Sequence, residues 1–301
     1  MNINNNYVIL GTGQLGLAIM DELTAQGIPV TLVNRSGRVS EPLPTTATLI
    51  QADVNNPDEV ERVTAGANIV FMCAQPAYHQ WPEKFPPLMA SVIEGVARTG
   101  AKLVFGSNLY MYGPTDGQPL HEELPYAAET RKGKARAQVA RMLLEAHQQG
   151  RVQVTIGRAA DFYGPRVTDS AVGDLLFEAA VQGKTANLSG DITLLHTYTY
   201  IRDFARALLT LSAHEEAYGR VWHVPNAETI STQQFLHLLE AEVGQAVKYR
   251  LAGRVMLWVV GLFNPAAREV IEMLYEFEEP FIVDHTRYAA AFGANPTPHK
   301  E

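Results

Sequence analysis

Intramolecular disulfide bonding is excluded at the outset, because Cys73 is the only cysteine among 301 residues. That scarcity fits a reducing compartment. Long apolar runs are missing too. The longest late one, residues 255–263, has nine residues, less than half of the roughly 20 needed to span a bilayer. The opening MNINNNYVIL carries no basic segment and no apolar stretch of signal-peptide length, so no secretory leader is expected. Positive charge is in short supply: 24 Lys and Arg stand against 32 Asp and Glu, a net charge of −8. Such a surface repels nucleic acid and anionic membranes. No short repeat or low-complexity segment interrupts the chain. These absences leave a soluble, cytoplasmic, globular protein with a small-molecule partner, no nucleic-acid or membrane partner and no metal site as the expectation.

What is present is ample apolar material, 47% of the residues, enough for a large core. In the first half, short β-rich runs alternate with amphipathic stretches. Strands are predicted at residues 7–10, 30–33, 48–50, 69–73, 103–105 and 152–156. Helices are predicted at 15–26, 57–64, 88–98 and 134–147. Strands separated by helices imply an α/β fold, a doubly wound parallel sheet of Rossmann type covered on both faces. Right-handed crossovers then fix most of the topology. After Gly164-Pro165 the rhythm changes to shorter, mixed segments, with helices at about 174–182, 202–212 and 232–243. The expected division is a dinucleotide-binding domain over 1–165 and, over 166–301, a smaller C-terminal substrate lobe with segments returning to the first core. An apolar stretch at 251–277 reads as helical.

The sharpest local signal is Gly11-Thr12-Gly13-Gln14-Leu15-Gly16, which follows a strand and opens a helix. In that context the glycines permit a tight turn, close approach of a pyrophosphate and close helix–strand packing. The helix N-terminus then offers free N–H groups to the phosphates. The second strand ends in Asn34-Arg35-Ser36-Gly37-Arg38. An acid in this region would bind the ribose 2′-OH of NAD and repel a 2′-phosphate. Arg35, helped by Arg38, can clamp that phosphate instead, so NADP is favoured, with NAD still open through Asn34. Asp53, followed by Val54, is either an adenine contact or a turn residue before Pro57. Ala74 and Gln75 end the fourth strand at the same crevice. Cys73 beside them reads as a core thiol.

These features, with Leu103-Val104-Phe105-Gly106-Ser107-Asn108, Tyr112-Gly113, Lys134 on a helix, Phe162-Tyr163-Gly164-Pro165, Tyr200-Ile201-Arg202-Asp203 and Val221-Trp222-His223-Val224-Pro225-Asn226, resemble the extended short-chain dehydrogenase/reductase superfamily, NAD-dependent epimerase/dehydratase group. The resemblance covers about residues 6–245. It implies a Ser or Thr that polarises a substrate oxygen, a Tyr that exchanges a proton with it, and a Lys that tunes the Tyr and holds the nicotinamide ribose. It also implies a homodimer through the helix bearing Lys134 and the 88–98 helix.

The sequence departs from that pattern twice. Five residues before Gly113 stands Asn108 instead of Ser or Thr. Four residues before Lys134 stands Thr130 instead of Tyr. An amide still donates to a carbonyl, but an aliphatic hydroxyl is a very poor proton donor compared with a phenol. The sequence resembles a divergent branch with an intact glycine motif and a poorly kept catalytic set. Tyr126, eight residues before Lys134, is the leading replacement; Tyr110, Tyr112 and His79 are others. Arg131, Lys132, Arg136 and Arg141 read mostly as solvated helix charges. Arg158, Arg166 and Arg202 bind an anionic substrate or sit in surface ion pairs. The expected function is an NADP(H)-dependent oxidoreductase, epimerase or dehydratase acting on a small hydroxyl- or carbonyl-bearing substrate. The competing class is a non-catalytic NADP(H)-binding sensor.

Overall fold

The computed structural model describes residues 6–168, 170–254, 257, 258, 262, 269 and 271–300. Seven parallel strands form the central sheet in the order β3-β2-β1-β4-β5-β6-β11. They are β1 (Tyr7–Leu10), β2 (Val30–Asn34), β3 (Ala47–Gln51), β4 (Ile69–Met72), β5 (Lys102–Ser107), β6 (Val154–Arg158) and β11 (Val221–His223). Strands β1 and β4 are apolar and buried throughout, as expected of strands covered on both faces. Helices α2 (Pro57–Thr64), α3 (Trp81–Thr99) and α4 (Arg131–Gln148) pack on one face. Helices α1 (Gln14–Thr24) and α6 (Ile201–Ala213) cover the other. The order in which the chain adds strands reverses between β1 and β4, which opens a crevice at the carboxyl ends of these strands.

The smaller lobe has its own core. Buried Val172, Leu176, Leu188, Tyr198, Phe235 and Leu236 bring together α5 (Asp174–Val181), α7 (Thr232–Val243) and the pair β8 (Thr185–Ser189) and β13 (Lys248–Ala252). Strand β7 (Asp161–Tyr163) pairs with β10 (Tyr198–Tyr200) where the lobe meets the sheet. Helix α7 starts with a full capping box, Ser231 and Gln234 bonding each other's backbone. Among the described residues no helix is long and apolar enough to cross a membrane.

Several boundaries differ from the sequence reading. Helix α3 starts at Trp81, ahead of Pro86 and Pro87, because Trp81, Phe85, Leu88 and Met89 are all buried and outweigh the missing ladder bonds. Strand β6 ends at Arg158 rather than Ile156, which sets an arginine at the strand's carboxyl end. The predicted helix at 251–277 is corrected at both described ends. Leu251 and Ala252 belong to β13, and Leu274–Phe277 form a 3-10 turn. Most of that stretch lies outside the described residues.

Candidate active site

The glycine turn is built as its sequence implies. Gly11 adopts φ +111°, and a Cβ there would lie 2.6 Å from the backbone N of Ala74. A Cβ on Gly16 would meet the Gly11 carbonyl oxygen at 2.1 Å. The two glycines therefore let β1, β4 and α1 converge more closely than any side chain permits. Gly13 caps α1 with no side-chain bond, and no acid stands in the first turn. The first N–H groups of the helix are left for an anion, with the positive end of the dipole behind them. Thr12, Gln14 and Leu15 are half-buried around this turn. The cradle fits a pyrophosphate.

At the end of β2, Asn34 is an organiser. Its amide donates to Thr12 Oγ1 and to the Arg38 carbonyl, both at 2.8 Å, and its oxygen accepts from the Gly37 N–H at 2.7 Å. This locks the glycine turn to the loop that carries Arg35 and Arg38. Both arginines are exposed and make no ion pair among the described residues. Asp53 closes a turn, accepting from Asn55 N and Nδ2. Those bonds hold its carboxyl below the usual range, with a smaller contribution from the charge on Arg35. Val54 follows, half-buried against the first core. The cap of α2 is Asn56, not Asp53.

The residues proposed for chemistry are dispersed. Thr130 is the N-cap of α4, its hydroxyl accepting from Gly133 N at 3.1 Å. Lys134 is exposed. Asn108 accepts weakly from Tyr110 N. Tyr126 turns into the interior, where its hydroxyl accepts from Arg158 at 2.5 Å. Among the described residues no hydrogen bond or ion pair joins these four side chains.

Two charges read as solvated are instead buried, which corrects the helix reading. Lys132 is 0% exposed and Arg136 5%. Four residues apart, they share the inner face of α4. Glu269 and Glu272 hold the Lys132 ammonium, Glu272 at 2.7 Å, and Tyr78 lies under it at 4.5 Å. Arg131 reaches Glu269 at 3.2 Å. Among the described residues Arg136 has no such acid. Its guanidinium stacks 4.0 Å from Trp81 and 4.7 Å from Phe85 and donates to Gln75 Oε1 at 3.0 Å. Its buried Nε has no acceptor among the described residues, as is also true of Arg158 Nε. Tyr110 also packs near Trp81, its ring 6.0 Å away, and its hydroxyl is 3.5 Å from that of Tyr78. Gln75, Tyr78, Trp81, Tyr110, Lys132 and Arg136 thus form one cluster at the carboxyl ends of β4 and β5 and the start of α4. Spacing within any single segment does not predict this grouping.

A second arginine cluster lies one strand over. Arg158 is 0% exposed and donates to Tyr112 and Tyr126, each at 2.5 Å. Tyr112 in turn bonds His223 Nε2 at 2.8 Å, and His223 Nδ1 lies 3.0 Å from the Asp284 carbonyl. Burial, then the charge on Arg158, pushes His223 down to about 3. Tyr112 is pushed up to about 12 by burial, against the pull of Arg158. Tyr112 packs in the interior, and Arg158 is no surface charge.

The other basic candidates are ion-paired. Arg166, with φ +65°, bridges Asp21 at 2.6 Å and Glu41 at 2.7 Å. Arg202 meets Glu22 at 2.7 Å. With the bond from Gln14 to Thr168, Arg166 ties the loop after β7 to α1 and to the loop carrying Glu41. His79 is exposed in a short 3-10 turn. Burial pushes the Cys73 thiol far up, as expected of a packed thiol.

Comparison with known proteins agrees with this layout. The family model described as NAD dependent epimerase/dehydratase family matches residues 7–224, from β1 past β11. A 2-alkyl-3-oxoalkanoate reductase of Shewanella oneidensis is 25% identical over 308 residues, covering 96% of this chain and 77% of that protein. Solved structures share the fold. A UDP-glucose 4-epimerase of Thermus thermophilus in complex with NAD superposes with a TM-score of 0.78 at 18% identity, covering 97% of this chain and 94% of the other. A dTDP-glucose 4,6-dehydratase of Streptomyces venezuelae with NAD bound gives 0.78 at 14% identity, covering 97% and 92%. A glycine cradle at the β1/β4 switch point, a seven-stranded parallel sheet and a family match over most of the chain carry one conclusion: this protein belongs to the NAD dependent epimerase/dehydratase family, whose crevice is built for a nicotinamide dinucleotide.

Proposed function

We propose that the protein is an NADP(H)-dependent oxidoreductase acting on a small carbonyl- or hydroxyl-bearing substrate. One observation carries the choice of cofactor. The end of β2 offers two exposed, unpaired guanidinium groups, Arg35 and Arg38, and no carboxylate at Asn34. A ribose 2′-phosphate gains a charge-assisted fork there, and Asn34 brings no charge to repel it. When bound, the cofactor supplies hydride transfer. The glycine turn and the start of α1 hold its pyrophosphate, and Asp53 and Val54 flank its adenine. Ala74 and Gln75 lie toward its nicotinamide half.

The printed substrate of the Shewanella relative, a 2-alkyl-3-oxoalkanoate, combines a ketone with a carboxylate. A homodimer through α3 and α4 in the cytoplasm completes the proposal. The test of cofactor choice is Arg35→Asp. NADPH binding should weaken by about 1.5–3 kcal/mol, as for a lost charge-assisted bond, with NADH little changed. Equal losses for both cofactors, measured by fluorescence titration, would sink the assignment.

A second reading, a cofactor-binding sensor without chemistry, is favoured by one observation: Thr130, in the place of the family's proton donor, spends its hydroxyl on the helix cap. Tight NADPH binding with no oxidation of NADPH by any carbonyl compound would select that reading.

A further inference from the structure

We infer that Arg166 is a specificity-determining residue for the cofactor: by engaging Glu41, the one acid of the loop between β2 and β3, it leaves Arg35 and Arg38 free for a ribose 2′-phosphate. The inference rests on the NADP(H) reading above. It starts from a carboxylate close in sequence to the phosphate-binding arginines. From Arg35 to Thr46 the chain carries two cations and a single acid, Glu41. An acid on this loop repels a 2′-phosphate, or neutralises the guanidinium groups that would bind it. In this structure Glu41 makes no ion pair with either arginine of its own loop. Its Oε1 is buried, and its one partner among the described residues is Arg166 Nε, 2.7 Å away but not aligned as a hydrogen bond. Charge, more than bond geometry, holds Glu41 there.

Arg166 comes from the loop after β7, far from Glu41 in the chain. Its backbone is left-handed, φ +65°, a conformation that a non-glycine residue keeps only where its surroundings compensate. The compensation is visible. A second ion pair joins Nη1 to Asp21 on α1 at 2.6 Å. The next residue, Val167, is buried in the core shared with α1 and α6. Gln14, in the glycine turn, bonds Thr168 at 3.1 Å. The guanidinium is thereby fixed between α1 and the loop carrying Glu41. Arg202 and Arg206, which also reach α1, both pair with Glu22, at 2.7 and 3.1 Å, and neither pairs with Glu41.

Loss of the Arg166 charge then has a directed consequence. A carboxylate with a buried oxygen does not stay in place without a cation; it moves toward water or another positive charge. The nearest cations along the chain are Arg38, three residues away, and Arg35, six away. Three residues span at most about 10 Å, within the combined reach of the two side chains. Freed, Glu41 competes with the 2′-phosphate for these guanidinium groups and repels it. NAD carries a 2′-hydroxyl in place of the phosphate and meets no such penalty.

The experiment titrates NADPH and NADH by fluorescence into the wild type, Arg166→Ala, Glu41→Gln and the double variant, with folding checked by circular dichroism. Arg166→Ala should weaken NADPH by about three- to tenfold, the scale of one competing exposed ion pair and weakened charge assistance, with NADH held within about twofold. Glu41→Gln alone should leave both cofactors within about twofold of wild type. The double variant should recover NADPH binding to within about twofold, which a general loosening of the loop would not do. If Arg166→Ala does not fold, Arg166→Gln, which keeps a donor but removes the charge, carries the same comparison. An unchanged NADPH-to-NADH ratio in the Arg166 variant, or a loss that Glu41→Gln fails to reverse, overturns the inference. Arg35→Asp separates it from the reading beneath it. A selective loss of NADPH in that variant, with no effect at Arg166, overturns this inference alone. A wild type indifferent to the two cofactors, with Arg35→Asp also without effect, overturns both.

Discussion

Two arginine–tyrosine clusters stand at neighbouring strand ends of one sheet, and they have been put to opposite uses. Arg158 sits with Tyr112, Tyr126 and His223 in a closed network. Both phenols are bonded at 2.5 Å and the histidine is bonded on both nitrogens. Arg136 sits near Trp81, Tyr110 and Tyr78 in an open one, with a single bond to Gln75 and phenols 3.5 Å apart; among the described residues both guanidinium groups leave Nε unpartnered. Similar side chains yield a closed brace where the guanidinium bonds both phenols and an open corner where, among the described residues, it bonds neither. Satisfaction of hydrogen bonds, more than residue type, separates the two.

Substitutions should sharpen that contrast. Arg158→Met strands two phenols in the interior and should cost about 3–5 kcal/mol of stability, as when one partner of a buried polar set is removed. Arg136→Met swaps an under-bonded cation for an apolar group among aromatics and should cost under about 1.5 kcal/mol. Urea titrations of the two variants measure the difference, and similar losses would erase the distinction. Acid should strike the closed cluster first. Unfolded His223 takes up a proton near pH 6.5, whereas in the folded protein it resists until about 3. Between those values the unfolded state binds more protons, so stability falls as pH falls, by up to about 3 kcal/mol from pH 7 to pH 4 through this residue. In His223→Gln that part of the pH slope should vanish; an unchanged slope would place its origin elsewhere. The smallest effect belongs to single hydroxyls. Tyr112→Phe should cost about 1–2 kcal/mol because it breaks bonds to both Arg158 and His223. Tyr110→Phe should shift stability by less than about 0.5 kcal/mol, since its hydroxyl gives up only one loose contact.

The same contrast explains what could be read in the chain beforehand. The parallel sheet was legible because period and spacing are local: β1, β2, α2 and α7 fall within a residue or two of where apolar rhythm and turn residues place them. The cofactor cradle was legible because its six residues are contiguous. The open cluster around Arg136 was not, because Gln75, Tyr78, Tyr110 and Arg136 come from three separate segments. Lys132 and Arg136 also misled for a physical reason. On a helix with little apolar moment, charged positions read as the wet face, and only partners 137 and 140 residues away, or the rings of Trp81 and Phe85, make burial tolerable. Thr130 and Lys134 have the family's four-residue spacing, but a cap and an exposed side chain stand there instead.

The pairing of Lys132 with Glu269 and Glu272 has a consequence for the birth of the molecule. At a synthesis rate of about 5–20 residues per second, roughly 7–30 s separate the lysine from its two acids on the ribosome. Through that interval α4 and the first strands can collapse, but a cation destined for the interior has no counter-ion. The N-terminal half must either hold its α4 edge open or leave the lysine in water. The last fifth of the chain then acts as the latch that lets the first half close.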